Sequence, residues 1–280
     1  SPFPNYTKNV LLSYYARAIY SYKGRYIVNA SLRRDGSSRF SPEQRWGLFP
    51  AVSAAWLMNE ENFLKDSKTI NMLKLRAGWG VTGQQDGIGD YAYIGNYFLG
   101  ATTAQYAFGG QYYQALRPAG FDANLKWETT ASYNVGLDFG FKNDRFSGSI
   151  DVYRKETSDL LATVPVPAGT NFTNMILTNV GGMKNTGIEV MTNFGLIAKK
   201  DLRLDMMANA TFNKNEVTKL AQINDPKSPG ILVGGISGIA NTIQIHQIGM
   251  PTFSYFVYEQ KYDGNGDMIQ EGQQAGTELV

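Results

Sequence analysis

The chain has 280 residues, a formal net charge of +2 and no cysteine. That excludes a disulfide framework, a thiol nucleophile and thiolate metal sites, and it leaves no electrostatic case for nucleic acid. The 17 Tyr, 30 Gly and 13% aromatic content suit strands and turns, and no apolar run reaches the length of a membrane helix, about eighteen residues.

Period-two alternation predicts about eight strands. The first covers Val10–Ser21, with Leu12, Tyr14, Ala16, Ala18 and Tyr20 on one face. The second, Arg25–Arg34, sets Tyr26, Val28, Ala30 and Leu32 against Arg25, Asn29, Ser31 and Arg33. The third is Gly47–Met58 and the fourth Asn71–Thr82, where Leu73, Leu75, Ala77, Trp79 and Val81 alternate with Lys74, Arg76, Gly78 and Gly80. Lys126–Lys142, Arg145–Leu161 and Gly187–Ala198 follow as the fifth to seventh. The eighth is Leu202–Leu220, whose first eleven residues alternate without a break: Leu202, Leu204, Met206, Ala208, Ala210 and Phe212 against Arg203, Asp205, Met207, Asn209 and Thr211. The stretch 221–280 is loop-rich, with weak strands at Thr242–Ile248 and Phe253–Tyr262.

The connections alternate in length. Ser21–Arg25, Lys142–Arg145 and Ala198–Leu202 are tight turns. Asn59–Thr69 is intermediate, with a short helix expected at Glu60–Asp66. Arg34–Trp46, 83–126, 162–186 and Ala221–Asn241 are long. Short turns on one rim and long loops on the other describe an outer-membrane barrel with periplasmic turns and extracellular loops. Membrane strands need only about 9–11 residues, half of them polar. Arg or Lys on a lipid face costs roughly 2–4 kcal/mol at the bilayer midplane, and the apolar faces named above carry no Lys, Arg, Asp or Glu. The expected fold is all-β, an antiparallel up-and-down transmembrane β-barrel. Its lumen would be lined by Arg17, Asn29, Arg33, Arg76, Asn134 and Asp138. The chain opens at Ser1 without Met or a leader pattern, and its polar tail lacks a closing strand. Both ends therefore read as cut from a longer protein.

No catalytic set emerges, and no cofactor or metal is expected. His246 is the single histidine, too little for a His-rich metal site, and it reads as a polar face residue. Asp263, Asn265 and Asp267 begin a calcium-loop spacing, but Met268 stands where Gly is needed and Gln274 where a bidentate Glu is needed, so a turn is expected. Gly83, Gly87 and Gly89 lack the context of a phosphate loop. The long loop 83–126 carries Tyr91, Tyr93, Tyr97, Tyr112 and Tyr113 among other aromatics. They suit a surface for sugars or peptides, and equally a loop that packs on itself.

Five blocks, in order, resemble SusC/RagA-type TonB-linked outer-membrane proteins. They are Gly24-Arg-Tyr-Ile-Val-Asn-Ala-Ser-Leu-Arg-Arg-Asp-Gly-Ser-Ser-Arg-Phe40; Arg45-Trp-Gly-Leu-Phe-Pro-Ala-Val-Ser-Ala-Ala-Trp56; Leu73-Lys-Leu-Arg-Ala-Gly-Trp-Gly-Val-Thr-Gly-Gln84; Lys126-Trp-Glu-Thr-Thr130 leading into Tyr133-Asn-Val-Gly-Leu-Asp-Phe139; and Asn179-Val-Gly-Gly-Met-Lys-Asn-Thr-Gly-Ile-Glu189. The resemblance implies a plugged barrel of about 22 strands, of which this chain would hold about 8–10. It also implies a SusD-like lipoprotein lid, energy from TonB through parts outside this chain, and glycan or peptide cargo. Two other readings stay open from the residues alone. One is a passive porin or small closed barrel. The other is a soluble carbohydrate-binding β-protein with Trp46, Trp56, Trp79 and Trp127 as a sugar platform; tryptophans at strand ends also suit a membrane girdle.

Overall fold

The computed structural model describes residues 7–220, 230–235, 242–258 and 277–279. In chain order the strands are β1 (Leu11–Tyr22), β2 (Tyr26–Ser37), β3 (Trp46–Leu57), β4 (Ile70–Gln84), β5 (Tyr97–Leu99), β6 (Gln105–Phe108), β7 (Gln111–Gln114) and β8 (Leu116–Pro118). They continue as β9 (Glu128–Phe141), β10 (Phe146–Pro165), β11 (Met175–Ala198), β12 (Arg203–Lys219), β13 (Ile231–Gly235), β14 (Thr242–His246), β15 (Ser254–Tyr258) and β16 (Thr277–Leu279). Eight of them form one antiparallel sheet in the order β1-β2-β3-β4-β9-β10-β11-β12, each strand beside its neighbour in sequence apart from the β5–β8 insertion. Among the described residues β1 and β12 are its edges, so the sheet is an open arc of a barrel.

Register explains the two-faced composition. One row crosses all eight strands through Tyr20, Val28, Ala54, Ala77, Val135, Val152, Ile188 and Phe212, every member apolar or aromatic. The adjacent row, on the other face, runs Ile19, Asn29, Ser53, Gly78, Asn134, Tyr153, Gly187 and Asn213. A one-residue slip would exchange these faces, so burial of either one fixes the register. The rows also climb. Tyr20 lies two residues from the turn end of β1 at Tyr22, whereas Phe212 lies nine residues into β12 from Arg203. That stagger is what tilted barrel strands require.

The eight main strands have 12 to 24 residues. Twelve residues extend about 40 Å, or about 30 Å of height at a tilt of about 40°. Trp46 and Trp56 stand on one face at opposite ends of β3. Ten residues of tilted strand separate them by about 25 Å of height, the thickness of an apolar band. Each has an aromatic neighbour: Tyr14 stacks on Trp46 at 6.0 Å and Tyr26 on Trp56 at 6.2 Å between ring centroids. This is girdle geometry. Trp127 is buried instead in the loop-rim core, so the four tryptophans form no shared platform.

The tight turns follow their chemistry. Lys23 and Gly24 have φ of 53° and 66°, and Arg25 N–H donates to Tyr22 O at 3.0 Å. Positive φ at both central residues of this turn matches the twist of a hairpin, and Arg25 completes a three-residue loop between the paired Tyr22 and Tyr26.

Four expectations need correction. The helix at Glu60–Asp66 is a 3-10 turn at Met58–Glu60 followed by turns, with Lys65 N–H donating to Glu61 O at 2.8 Å; seven residues give too few bonds to repay helix nucleation. The 162–186 loop is mostly strand, since β10 runs to Pro165 and β11 starts at Met175, leaving 166–174 as the connection. This extension lacks apolar alternation, and backbone pairing holds it. The 83–126 loop contains two small hairpin-like sheets, β5 with β8 and β6 with β7. Finally, β13 adds a strand at Ile231–Gly235, a stretch with no period-two pattern. The weak strands at 242–248 and 253–262 appear in shorter form as β14 and β15. The Asp263–Asp267 turn lies outside the described residues.

Candidate functional site

Arg17, Asn29, Arg33, Arg76, Asn134 and Asp138 all lie on the polar face by register. The structure brings two groups of them together. Arg17 Nε donates to Asn29 Oδ1 at 2.7 Å across β1 and β2. Arg33 instead pairs with Asp35 on its own strand, Nε to Oδ1 at 2.7 Å. The second group is larger. Arg76 donates twice to Asp138, and its Nη2 also reaches Asp151 Oδ1 at 3.0 Å. Lys74 Nζ sits 3.4 Å from Asp138 Oδ2. This cluster joins β4, β9 and β10. Gly136 makes room for it, because a Cβ there would overlap Asp151 Oδ1 and stand 2.8 Å from Arg76 Nη2. Sequence reading found Arg76 and Asp138 but missed Asp151 and Gly136, whose roles depend on register across three strands.

The resembling blocks meet at the long-loop rim. Phe40, Phe49, Ile88, Leu125 and Trp127 form a buried core there. Trp127 Nε1 donates to Arg45 O at 3.1 Å, and its ring lies 5.1 Å from Phe40 and 5.5 Å from Phe49. Arg39 pairs with Asp90 at 3.1 Å, tying the 38–45 loop to the long loop. A bulge in β10 at Asp159, with φ of 59°, offers the other anchor. Asn179 holds Lys126 through both backbone groups at 2.9 Å and donates to Asp159 O at 2.7 Å. Glu128 accepts Leu161 N–H at 2.6 Å. The ends of the 83–126 loop are thus fixed to three strands, and its middle is presented outward.

The loop tyrosines separate into three places. Tyr112 and Tyr113 lie on the β6–β7 hairpin, where Tyr113 stacks on Tyr106 at 5.7 Å and Tyr112 is 75% exposed. Tyr97 on β5 is exposed beside Phe172 of the 166–174 connection, 6.5 Å between rings. Tyr91 and Tyr93 lie in the turns before β5. Sequence reading missed Phe172, which shares no segment with the tyrosines. His246 packs edge-on against Phe253 at 4.6 Å, and burial pushes its imidazole below the ordinary pKa. Among the described residues no group of three His, Cys, Asp or Glu side chains could hold a metal.

Strands long enough to cross a bilayer, one apolar and one polar face, and long connections gathered at one rim define a transmembrane β-barrel sheet. The family described as TonB dependent receptor-like, beta-barrel, matches residues 1–267. The chain belongs to that family, whose SusC/RagA-type members are outer-membrane β-barrels of Gram-negative bacteria. It is 45% identical over 265 residues to the TonB-dependent receptor SusC of Bacteroides thetaiotaomicron, covering 94% of this chain and 26% of SusC. It is 37% identical over 255 residues to the TonB-dependent receptor P39 of Formosa agariphila, covering 87% of this chain and 23% of that protein. Among solved structures, the RagAB peptide importer in its closed-closed state aligns with a TM-score of 0.76 and 25% identity over 96% of this chain and 30% of that one. The chain spans about a quarter of the length of the curated relatives it matches.

Proposed function

We propose that this chain is barrel wall and loop rim of an active importer that brings oligosaccharides or peptides across the outer membrane. The observation carrying this reading is the 45% identity to SusC over 94% of the chain. The apolar face would meet lipid and the polar face, with Arg17, Asn29, Arg33, Arg76, Asn134 and Asp138, would line the lumen. The 83–126 and 166–174 connections would be extracellular, close cargo in with a SusD-like lipoprotein partner, and present Tyr91, Tyr93, Tyr97, Tyr112 and Tyr113 to it. Aromatic faces serve both sugar rings and peptide side chains. Energy would come from a TonB complex. A passive porin would need no such input.

The test measures uptake of labelled oligosaccharides and of labelled peptides by cells expressing the protein, with and without a protonophore. Uptake of one class that stops with the protonophore and with the five tyrosines changed to alanine supports the reading. Protonophore-insensitive uptake would establish the porin. Uptake that survives the tyrosine changes would remove the loop from cargo binding.

A further inference from the structure

The apolar face carries a hollow of about 950 Å³ where β3, β4 and β9 to β12 pass side by side. Its lower lining is the apolar row from Ala54 to Phe212 described above; its upper lining is the next row on the same face, Val52, Trp79, Tyr133, Arg154, Thr186 and Lys214. The floor between them is backbone of the intervening rung, which includes Gly78 and Gly187. Small side chains at Ala54 and Ala77 leave the depression, and Trp79, Tyr133 and Phe212 wall it.

Two cations stand at its mouth. Lys214 is eleven residues beyond Arg203, the start of β12. That is about 36 Å of strand and about 28 Å of height, just above an apolar band of about 25 Å. Arg154 and Lys214 sit on β10 and β12 with Thr186 of β11 between them, about 10 Å apart at their backbones. Their side chains are 55% and 75% exposed. Lys184 lies one rung further out on the same face. Glu156 and Glu216 share that rung, Glu156 pairing with Arg154 and Glu216 with Lys214 at 3.5 Å. Exposed pairs of this kind are weak and exchange partners readily. A planar guanidinium matches two phosphate oxygens better than a single carboxylate oxygen.

We propose that this hollow is a site for one phosphate-bearing, acyl-chain lipid of the outer leaflet. The acyl chain lies against the Ala54–Phe212 row and the phosphate sits between Arg154 and Lys214. The inference rests on the reading that the apolar face meets lipid. Aromatic walls at the interface favour amphiphiles, and basic groups at the headgroup level attract lipid phosphate.

The protein is isolated from outer membranes in mild detergent and its retained lipids are weighed by native mass spectrometry. One phosphorylated lipid per protein is expected. R154Q with K214Q lowers retention by about tenfold, A77F lowers it by filling the hollow, and E156Q raises it by freeing Arg154. In vesicles, phosphatidic acid is retained over diacylglycerol, which has acyl chains and no phosphate, and inorganic phosphate does not displace it. Unchanged retention in the variants, with folding verified by heat-shifted mobility, overturns the site. Equal retention of diacylglycerol, or displacement by inorganic phosphate, overturns the assignment to a phosphate lipid. Absence of the protein from the outer-membrane fraction overturns the membrane reading as well.

Discussion

Arg76 grips Asp138 with two parallel hydrogen bonds, Nε to Oδ2 at 2.9 Å and Nη2 to Oδ1 at 2.7 Å. The two residues are diagonal neighbours across β4 and β9, since Arg76 faces Gly136 and Asp138 faces Lys74. The strands they join are separated in sequence by the whole 83–126 loop, so the fork helps to fix how that excursion returns to the sheet.

Arg76→Leu leaves Asp138 with Lys74 alone and Asp151 without its cation. Both acids are only 16% and 24% exposed. The expected loss of stability is about 1–3 kcal/mol, read by urea unfolding of the protein folded in lipid vesicles. A double-mutant cycle with Asp138→Asn should show that most of the loss is shared between the two residues. Additive losses would mean that the fork does not couple the strands.

Gly136→Ala tests the space rather than the charge. The added methyl collides with Asp151 and Arg76, so stability should fall although every ion-pair partner is still present. The same substitution in an Arg76→Leu, Asp151→Ala background should cost much less, because the colliding groups are gone. A full cost in both backgrounds would place the strain in the backbone.

Asn179→Ala removes the side chain that holds Lys126 and Asp159, and Trp127→Ala empties the rim core. Trp127→Ala should cost about 3–5 kcal/mol. Both changes should expose the 83–126 loop to protease on intact cells while the strands stay protected. Cleavage spread evenly over the chain would instead indicate that the barrel itself had unfolded.

At the short-turn rim, Glu61 accepts hydrogen bonds from Tyr26 Oη at 2.6 Å and Trp56 Nε1 at 3.2 Å and pairs with Arg25 at 2.9 Å. These contacts, led by Tyr26, hold its carboxyl below the ordinary glutamate pKa. A lowered folded pKa stabilises the fold above the ordinary value. That contribution disappears as pH falls through the lowered value. Midpoints of unfolding compared between neutral and strongly acidic pH should therefore drop more for the natural protein than for Glu61→Gln. Equal drops would show that the latch adds nothing.

The strands and their faces were legible in the sequence. Period-two alternation depends only on which side chains can meet lipid, and each strand reports it locally, as Leu202–Phe212 does in β12. The six polar residues shared one face in the structure for the same reason. The blocks that carried the family resemblance also marked positions where the structure makes contacts, such as Trp127 and Asn179. What the sequence left hidden lies where loop residues cover a strand, as Asp122 and Lys126 meet Thr178 and Asn179 of β11, or where partners come from different strands. The first half of β11, the Arg76–Asp138–Asp151 cluster with its gap at Gly136, the pairing of Tyr97 with Phe172, and the hollow beneath Arg154 and Lys214 all depend on cross-strand register. Alternation sets a strand's faces and leaves open which rung stands beside which. Only the paired sheet decided that, because hydrogen-bonded register fixes all eight strands together.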